Sequence, residues 1–239
     1  MRDTVEKPAP AFPDHVKTAP LLVLDYALLQ KKDEQECARL FDACTQLGFF
    51  YLKNAKLDAT SMFESAQTFF ECPVSDKLVY DMGTSGNYFG YKGLGGGVID
   101  SKGTLDKHER YNISRDDTLG FSSSQRTHPP CILESMPDFA AYTKQSLEII
   151  GKLLDRLSTL LGLPENTLRK LHRLSQPSGD MIRLLLAPSG TTETSEQSMG
   201  AHTDFGSAEQ RWRSSGAPAR KRRMGVCQAY SGLLDCELW

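Results

Sequence analysis

Between Pro137-Asp138 and Gly162 the chain carries its strongest helical pattern: Phe139, Tyr142, Leu147, Ile150, Leu153, Leu154, Leu157, Leu160 and Leu161 recur at three- and four-residue spacing. Pro164 follows just past the glycine, where a helix cannot continue. An apolar stripe this long has to be buried, so the rest of the fold must supply a core to receive it. The upstream segments can do so. Leu21-Leu22-Val23-Leu24-Asp25-Tyr26 suits a buried strand, and from Asp33 a helical face of Cys37, Leu40, Phe41, Cys44 and Leu47 runs to Gly48. Phe49-Phe50-Tyr51-Leu52-Lys53 reads as a second strand. Asp58 opens a second helix, with Ser61 and Glu64 at capping-box spacing and an apolar stripe of Met62, Ala66, Phe69 and Phe70, broken at Cys72-Pro73. Strand, helix, strand, helix is an α/β beginning.

Composition narrows the function classes. A chain of 239 residues with 39% hydrophobic and 24% charged residues is neither disordered nor membrane-spanning. Its apolar runs are too short to cross a bilayer, and no hydrophobic segment follows Met1-Arg2-Asp3, so no signal peptide is expected. A net charge of −2 gives no general affinity for nucleic acid or acidic membranes. The six cysteines form no C-x-x-C pair, which argues against structural zinc and a disulfide framework. They are expected as reduced thiols in a cytoplasmic protein.

Residues 83–103 are glycine-rich yet match no phosphate-binding loop, so the glycines are read as serving turns. Tyr88, Phe89 and Tyr91 among them could line a pocket or anchor the loop. Asp106 to Asp117 reads as a strand running into a charged turn, in which adjacent His108 and Glu109 point to opposite faces and cannot share a metal. His15, His108, His128 and His172 are read as surface or structural. A shorter amphipathic helix is expected over Glu165 to Leu174, a strand over Met181 to Ala187, and a polar loop over Pro188 to Met199. The strand-like segment Gly200 to Ser207 then carries His202 and Asp204. Side chains at i and i+2 of a strand leave one face, so this imidazole and carboxylate can occupy two adjacent positions on one divalent metal. The plain alternative is a histidine and an aspartate at a strand end, bonded to backbone.

Taken in order, Leu47-Gly48-Phe49-Phe50-Tyr51-Leu52, Glu109-Arg110-Tyr111-Asn112-Ile113-Ser114-Arg115-Asp116 and Ala201-His202-Thr203-Asp204-Phe205-Gly206-Ser207 resemble the isopenicillin N synthase-like family of 2-oxoglutarate- and Fe(II)-dependent dioxygenases. The resemblance runs from about residue 20 to residue 207. It implies an α+β fold, a double-stranded β-helix (jelly roll) with flanking helices, and His202 and Asp204 as iron ligands. It further implies Fe(II) with 2-oxoglutarate as co-substrate, a small-molecule substrate of secondary metabolism, and oxidation of a substrate C–H bond with O₂. No residue is assigned a separate catalytic role.

Residues 1–19, proline-rich and with little hydrophobic pattern, are expected as an extended arm; the resemblance sets the dioxygenase N-terminal region over 20–125 and linker helices with the start of the jelly roll over 126–207, and the composition shift after Ser207 marks an atypical basic tail over 208–239. Ala187 stands where the family usually has a tyrosine before the proline. After Asp204 no histidine follows to complete the iron triad, and Arg213-Ser214-Ser215 lies too close to Asp204 to serve as the family's Arg-x-Ser. From these departures the barrel is expected to be incomplete at the C-terminus, without strands after Ser207, and turnover to be impaired. A partner-binding remnant is the alternative function. Arg211 to Arg223, read as a nucleic-acid patch, is the weakest reading.

Overall fold

The computed structural model describes residues 20–46, 48–81, 88–98, 100–122, 126–187, 208–211 and 234–238. In chain order the elements are β1 (Leu22–Asp25), α1 (Tyr26–Gln30), α2 (Glu34–Gln46), β2 (Phe49–Lys53), α3 (Thr60–Glu71), α4 (Val74–Leu78) and β3 (Gly90–Lys92). They continue with β4 (Glu109–Ser114), α5 (Arg115–Leu119), α6 (Pro130–Glu134), α7 (Met136–Leu160), β5 (Met181–Leu186), β6 (Ala208–Arg211) and β7 (Leu234–Leu238). They form two units, and α7 contributes to both, through Glu148 to one and from Ile149 to the other.

In the first unit β1 and β2 pair in parallel, joined through α1 and α2. Asp25 ends β1 and starts α1 because its Oδ1 accepts from Ala27 N–H at 2.9 Å, filling one orphan donor of the helix. Glu36 of α2 is buried, accepting from Asp25 N–H and from Arg39, which itself donates to the Val23 carbonyl. Leu24, Leu40, Phe50 and Leu52 bury the apolar content expected of them, and Leu29 of α1 joins them. Gly48, with φ 74°, ends the α2 segment by donating to Ala43.

Two expectations fail in this unit. The first is the absence of strands beyond Ser207: β6 and β7 form, giving the sheet order β1-β2-β7-β6 with β7 antiparallel to β2. Leu234-Asp235-Cys236-Glu237-Leu238 alternates apolar and acidic residues, a short period-2 signal, and pairing along the edge of β2 uses main-chain groups that tolerate most side chains. The second is the helix over Glu165 to Leu174, where turns lead into one 3₁₀ turn at Arg169–Leu171. Asn166 takes a left-handed φ of 67°, which a helix cannot contain. The segment is tied to α7 instead, with Leu168 N–H donating to Ser158 Oγ and Arg169 to Asp155 Oδ2.

In the second unit β3, β4 and β5 form an antiparallel sheet with β4 in the middle. Phe69 of α3 is buried beneath it, its ring centroid 4.7 Å from Tyr111 and 5.8 Å from Tyr91. Helix α3 begins at Thr60, with Asp58 Oδ1 accepting from its N–H, so Ser61 sits inside the helix rather than at a cap. The glycine-rich stretch contains β3, and the charged turn after β4 is helix α5, capped by Ser114 Oγ and ended by Gly120 in the left-handed region. Among the described residues no helix is long and apolar enough to cross a membrane.

Phe69 unites the aromatic layer, so Phe69→Ala is expected to cost about 3–5 kcal/mol. A denaturant titration checks this; a loss under about 1 kcal/mol would mean the layer does not carry the unit.

Candidate functional site

His202 and Asp204 lie outside the described residues, as do the bounds of the loop before them. Among the described residues no three His, Cys, Asp or Glu side chains are grouped to hold a metal. The described residues that precede the motif in the chain end just past β5, which completes a three-stranded sheet. Cross-strand partners share a face, so its register sorts the side chains into two sets.

One face is closed. Glu109 is buried and its Oε2 accepts from Lys77 Nζ at 2.6 Å and from the Tyr91 hydroxyl at 2.6 Å, while Lys77 also donates to the Phe70 carbonyl. Burial and then Glu109 hold the Tyr91 phenol above its ordinary range. Beside them Tyr111 and Ile113 pair with Leu184 and Ile182. Tyr111 OH lies 2.9 Å from His128 Nδ1, and Asp117 Oδ2 lies 3.6 Å from the other ring nitrogen. His128 is thus a buried structural residue, whereas His172 is exposed.

The opposite face is polar. It carries Lys92, Arg110, Asn112, Ser114 and Arg183, with Lys92 directly across from Arg110 and Asn112 directly across from Arg183. Lys92 is paired with Asp106. Asn112 is fully buried: its Oδ1 accepts from Arg183 Nε at 3.0 Å and its Nδ2 donates to the Tyr88 carbonyl at 2.5 Å. The buried Nε of Arg110 has no acceptor among the described residues. His108, just before β4, is held below its usual value by burial and by Lys92, with Arg110 and Arg183 acting the same way and Asp106 opposing them.

Two local devices hold this face. A Cβ on Gly97 would stand 2.7 Å from Asp106 Oδ2 and one on Gly96 2.9 Å from Lys92 Cε, so a side chain at either position would require the ion pair to shift. At the other end Arg115 clamps the approach to β5, its N–H donating to the Asp180 carbonyl and its Nη2 to that of Gln176. Asp116 completes the clamp by accepting from Ser178 N–H and from Arg115. Burial pushes the Asp116 carboxyl up, but these hydrogen bonds outweigh it and leave it below its ordinary value.

Sequence reading found the Glu109–Asp116 segment and the β5 strand. It missed the Lys77–Glu109 pair, which joins residues 32 apart, and the cations of the polar face. Period-2 alternation along β4 was the available signal, since it puts Arg110 and Asn112 together. Tyr91, read as lining a pocket or anchoring a loop, is a core residue of β3, while Tyr88 is exposed and Phe89 lies under the Arg126 guanidinium at 4.4 Å.

Residues 21–135 match the family described as non-haem dioxygenase in morphine synthesis, N-terminal. The UPF0676 protein C1494.01 of Schizosaccharomyces pombe is 30% identical over 178 residues, 70% of this chain and 53% of that protein. The 2-oxoglutarate-dependent dioxygenase AFUA_1G01000 of Aspergillus fumigatus is 27% identical over 192 residues, 76% of this chain and 49% of its own length. The chain thus spans about half the length of these relatives. Among solved structures, a putative 2OG-Fe(II) oxygenase family protein from Caulobacter crescentus superposes with a TM-score of 0.66 at 22% identity, covering 92% of this chain and 74% of that one. That likeness shows a shared fold.

Removing one partner of the buried pair leaves the other charge uncompensated, so Lys77→Met or Glu109→Leu is expected to cost about 3–5 kcal/mol, while the double variant recovers most of it. A double-mutant cycle in urea reads the difference, and additive losses would refute the pairing. Burial, the largest influence on His128, sets its folded-state value below the ordinary 6.5 despite the opposing pull of Asp117. The unfolded chain therefore takes up the proton first as pH falls, and stability drops below about pH 6.5 until the folded-state value is passed. Melting temperatures between about pH 7.5 and about pH 5 should fall less steeply in His128→Gln than in the parent.

Proposed function

We propose that the chain belongs to the family of 2-oxoglutarate- and Fe(II)-dependent dioxygenases and that it oxidises a C–H bond of a small molecule of secondary metabolism, splitting O₂ between that substrate and the succinate formed from 2-oxoglutarate as CO₂ is lost. The family match over residues 21–135 carries this reading. The fold shared with the Caulobacter crescentus oxygenase supports a jelly-roll barrel, with residues 20–125 as the N-terminal region and 126–207 as linker helices and the start of the barrel.

His202 and Asp204 are the proposed metal donors. Their chemistry fits Fe(II): a neutral imidazole nitrogen and a carboxylate oxygen, two residues apart in one strand-like run. When bound, iron would supply the activation of O₂ that no side chain can provide. This chain's own residues do the rest. The aromatic layer and the Lys77–Glu109–Tyr91 node dry one side of the sheet, and the Arg115 clamp fixes where β5 starts. Polar groups on the other side are left to orient what binds there.

Succinate formation from 2-oxoglutarate under air tests the reading. It is expected to require added Fe(II) and to fall to the iron-free rate in His202→Ala and Asp204→Ala. Succinate release that persists in either variant would remove the donor assignment, and none from the parent chain at any Fe(II) concentration would remove the activity.

A further inference from the structure

We propose that Arg110 and Arg183, on the polar face of the β3-β4-β5 sheet, form a carboxylate-binding subsite, with Asn112 as the residue that positions Arg183. The proposal rests on the dioxygenase reading and adds the chemical class of what the site holds. Its basis is a charge imbalance inside one sheet face. Lys92 stands directly across from Arg110, an arrangement of like charges that destabilises a strand pair. Asp106 neutralises Lys92, whereas Glu109, the other nearby carboxylate, points to the opposite face and is committed to Lys77 and Tyr91. Arg110 therefore has a buried Nε with no acceptor among the described residues, beside a second guanidinium.

Arg183 sits diagonally from Arg110 across the β4–β5 pair, a spacing of roughly 7–8 Å that two long side chains can close around one anion. Its Nε is fixed by the buried Asn112 amide, whose second hydrogen bond to the Tyr88 carbonyl stops the amide from turning. The Arg183 Nη2 lies 3.6 Å from Met181 Sδ, a weak acceptor, and the Nη edge of a guanidinium fixed through Nε has the geometry that suits a carboxylate in its place. Burial first, and then Lys92, Arg110 and Arg183 against the opposing Asp106, lower the affinity of His108 for a proton.

Two carboxylates could meet this subsite, that of 2-oxoglutarate and that of an organic-acid substrate, and calorimetry separates them. Iron-free protein is titrated with 2-oxoglutarate and with a panel of aromatic and alicyclic monocarboxylic acids, each paired with its methyl ester. At least one acid is expected to bind and its ester not. Arg110→Gln and Arg183→Gln should each weaken that acid by about tenfold or more. If they instead weaken 2-oxoglutarate by that factor and leave the acids unchanged, the subsite serves the co-substrate, and the proposal also stands.

Leu185 is exposed directly across from Arg110, so Leu185→Glu supplies an internal carboxylate without disturbing the core and should block the same ligand. Asn112→Ala should weaken binding through Arg183 but leave the Arg110→Gln effect in place. Unchanged binding of both ligand classes in Arg110→Gln, Arg183→Gln and Leu185→Glu, or esters binding as well as acids, would overturn the proposal. Because these measurements need neither iron nor turnover, a chain that binds acids through these arginines yet makes no succinate would defeat the dioxygenase reading alone.

Discussion

Strand β4 has to satisfy two environments at once, and the alternation of its side chains is what allows it. Glu109, Tyr111 and Ile113 go to the aromatic layer, and Arg110, Asn112 and Ser114 to the polar face. A register slip of one residue would drive the Arg110 guanidinium into Phe69 and bring Tyr111 out, so the two faces enforce each other. The strand lies between β3 and β5, and both neighbours inherit its sorting: Tyr91 follows Tyr111, Lys92 follows Arg110, and Arg183 follows Asn112.

The Lys77–Glu109–Tyr91 node is the cost of placing a carboxylate on the apolar side of that strand. A buried carboxylate persists only where it is paired and hydrogen-bonded, and here an ammonium from α4 and a phenol from β3 both donate to its Oε2. The same hydrogen bonds tie two short elements to β4. Strand β3 has three residues and little apolar area of its own, so the hydroxyl of Tyr91 and its ring against Phe69 hold it in place. The glycines that follow fit for a related reason, since the chain at Gly96 and Gly97 runs so close to Lys92 and Asp106 that a side chain there would displace the pair.

Elements that announce themselves by long periodicity were legible in the sequence. The α7 stripe, the α3 stripe, β1, β2 and β5 are where alternation or helical spacing put them, with α7 ending before Gly162 at a left-handed φ of 70°. Elements made by tertiary pairing were not. Gly90-Tyr91-Lys92 is too short and too glycine-flanked to read as a strand, and β6 and β7 are held by main-chain pairing that leaves little trace in composition. Asn166 shows the converse, a helical pattern overruled by one backbone conformation and by bonds to Ser158 and Asp155. The site divides in the same way. A local motif shows His202 and Asp204, which lie outside the described residues, whereas Asn112 and Arg183 meet from 71 residues apart and no window of sequence holds both.

A sheet that served only to pack would have no use for such a face. Well-packed apolar residues usually stabilise a buried position as well as an ion pair or better, so the buried Lys92–Asp106 pair across from Arg110 adds little stability of its own. Asn112 sharpens the point. One end of its amide donates to the Tyr88 carbonyl and the other accepts from Arg183, and the residue is fully buried, so it acts by aiming a guanidinium. An amide that fixes an arginine, a carboxylate that cancels the lysine opposite, and glycines that let the chain close over that pair are the arrangement expected where electrostatic preorganisation matters more than burial.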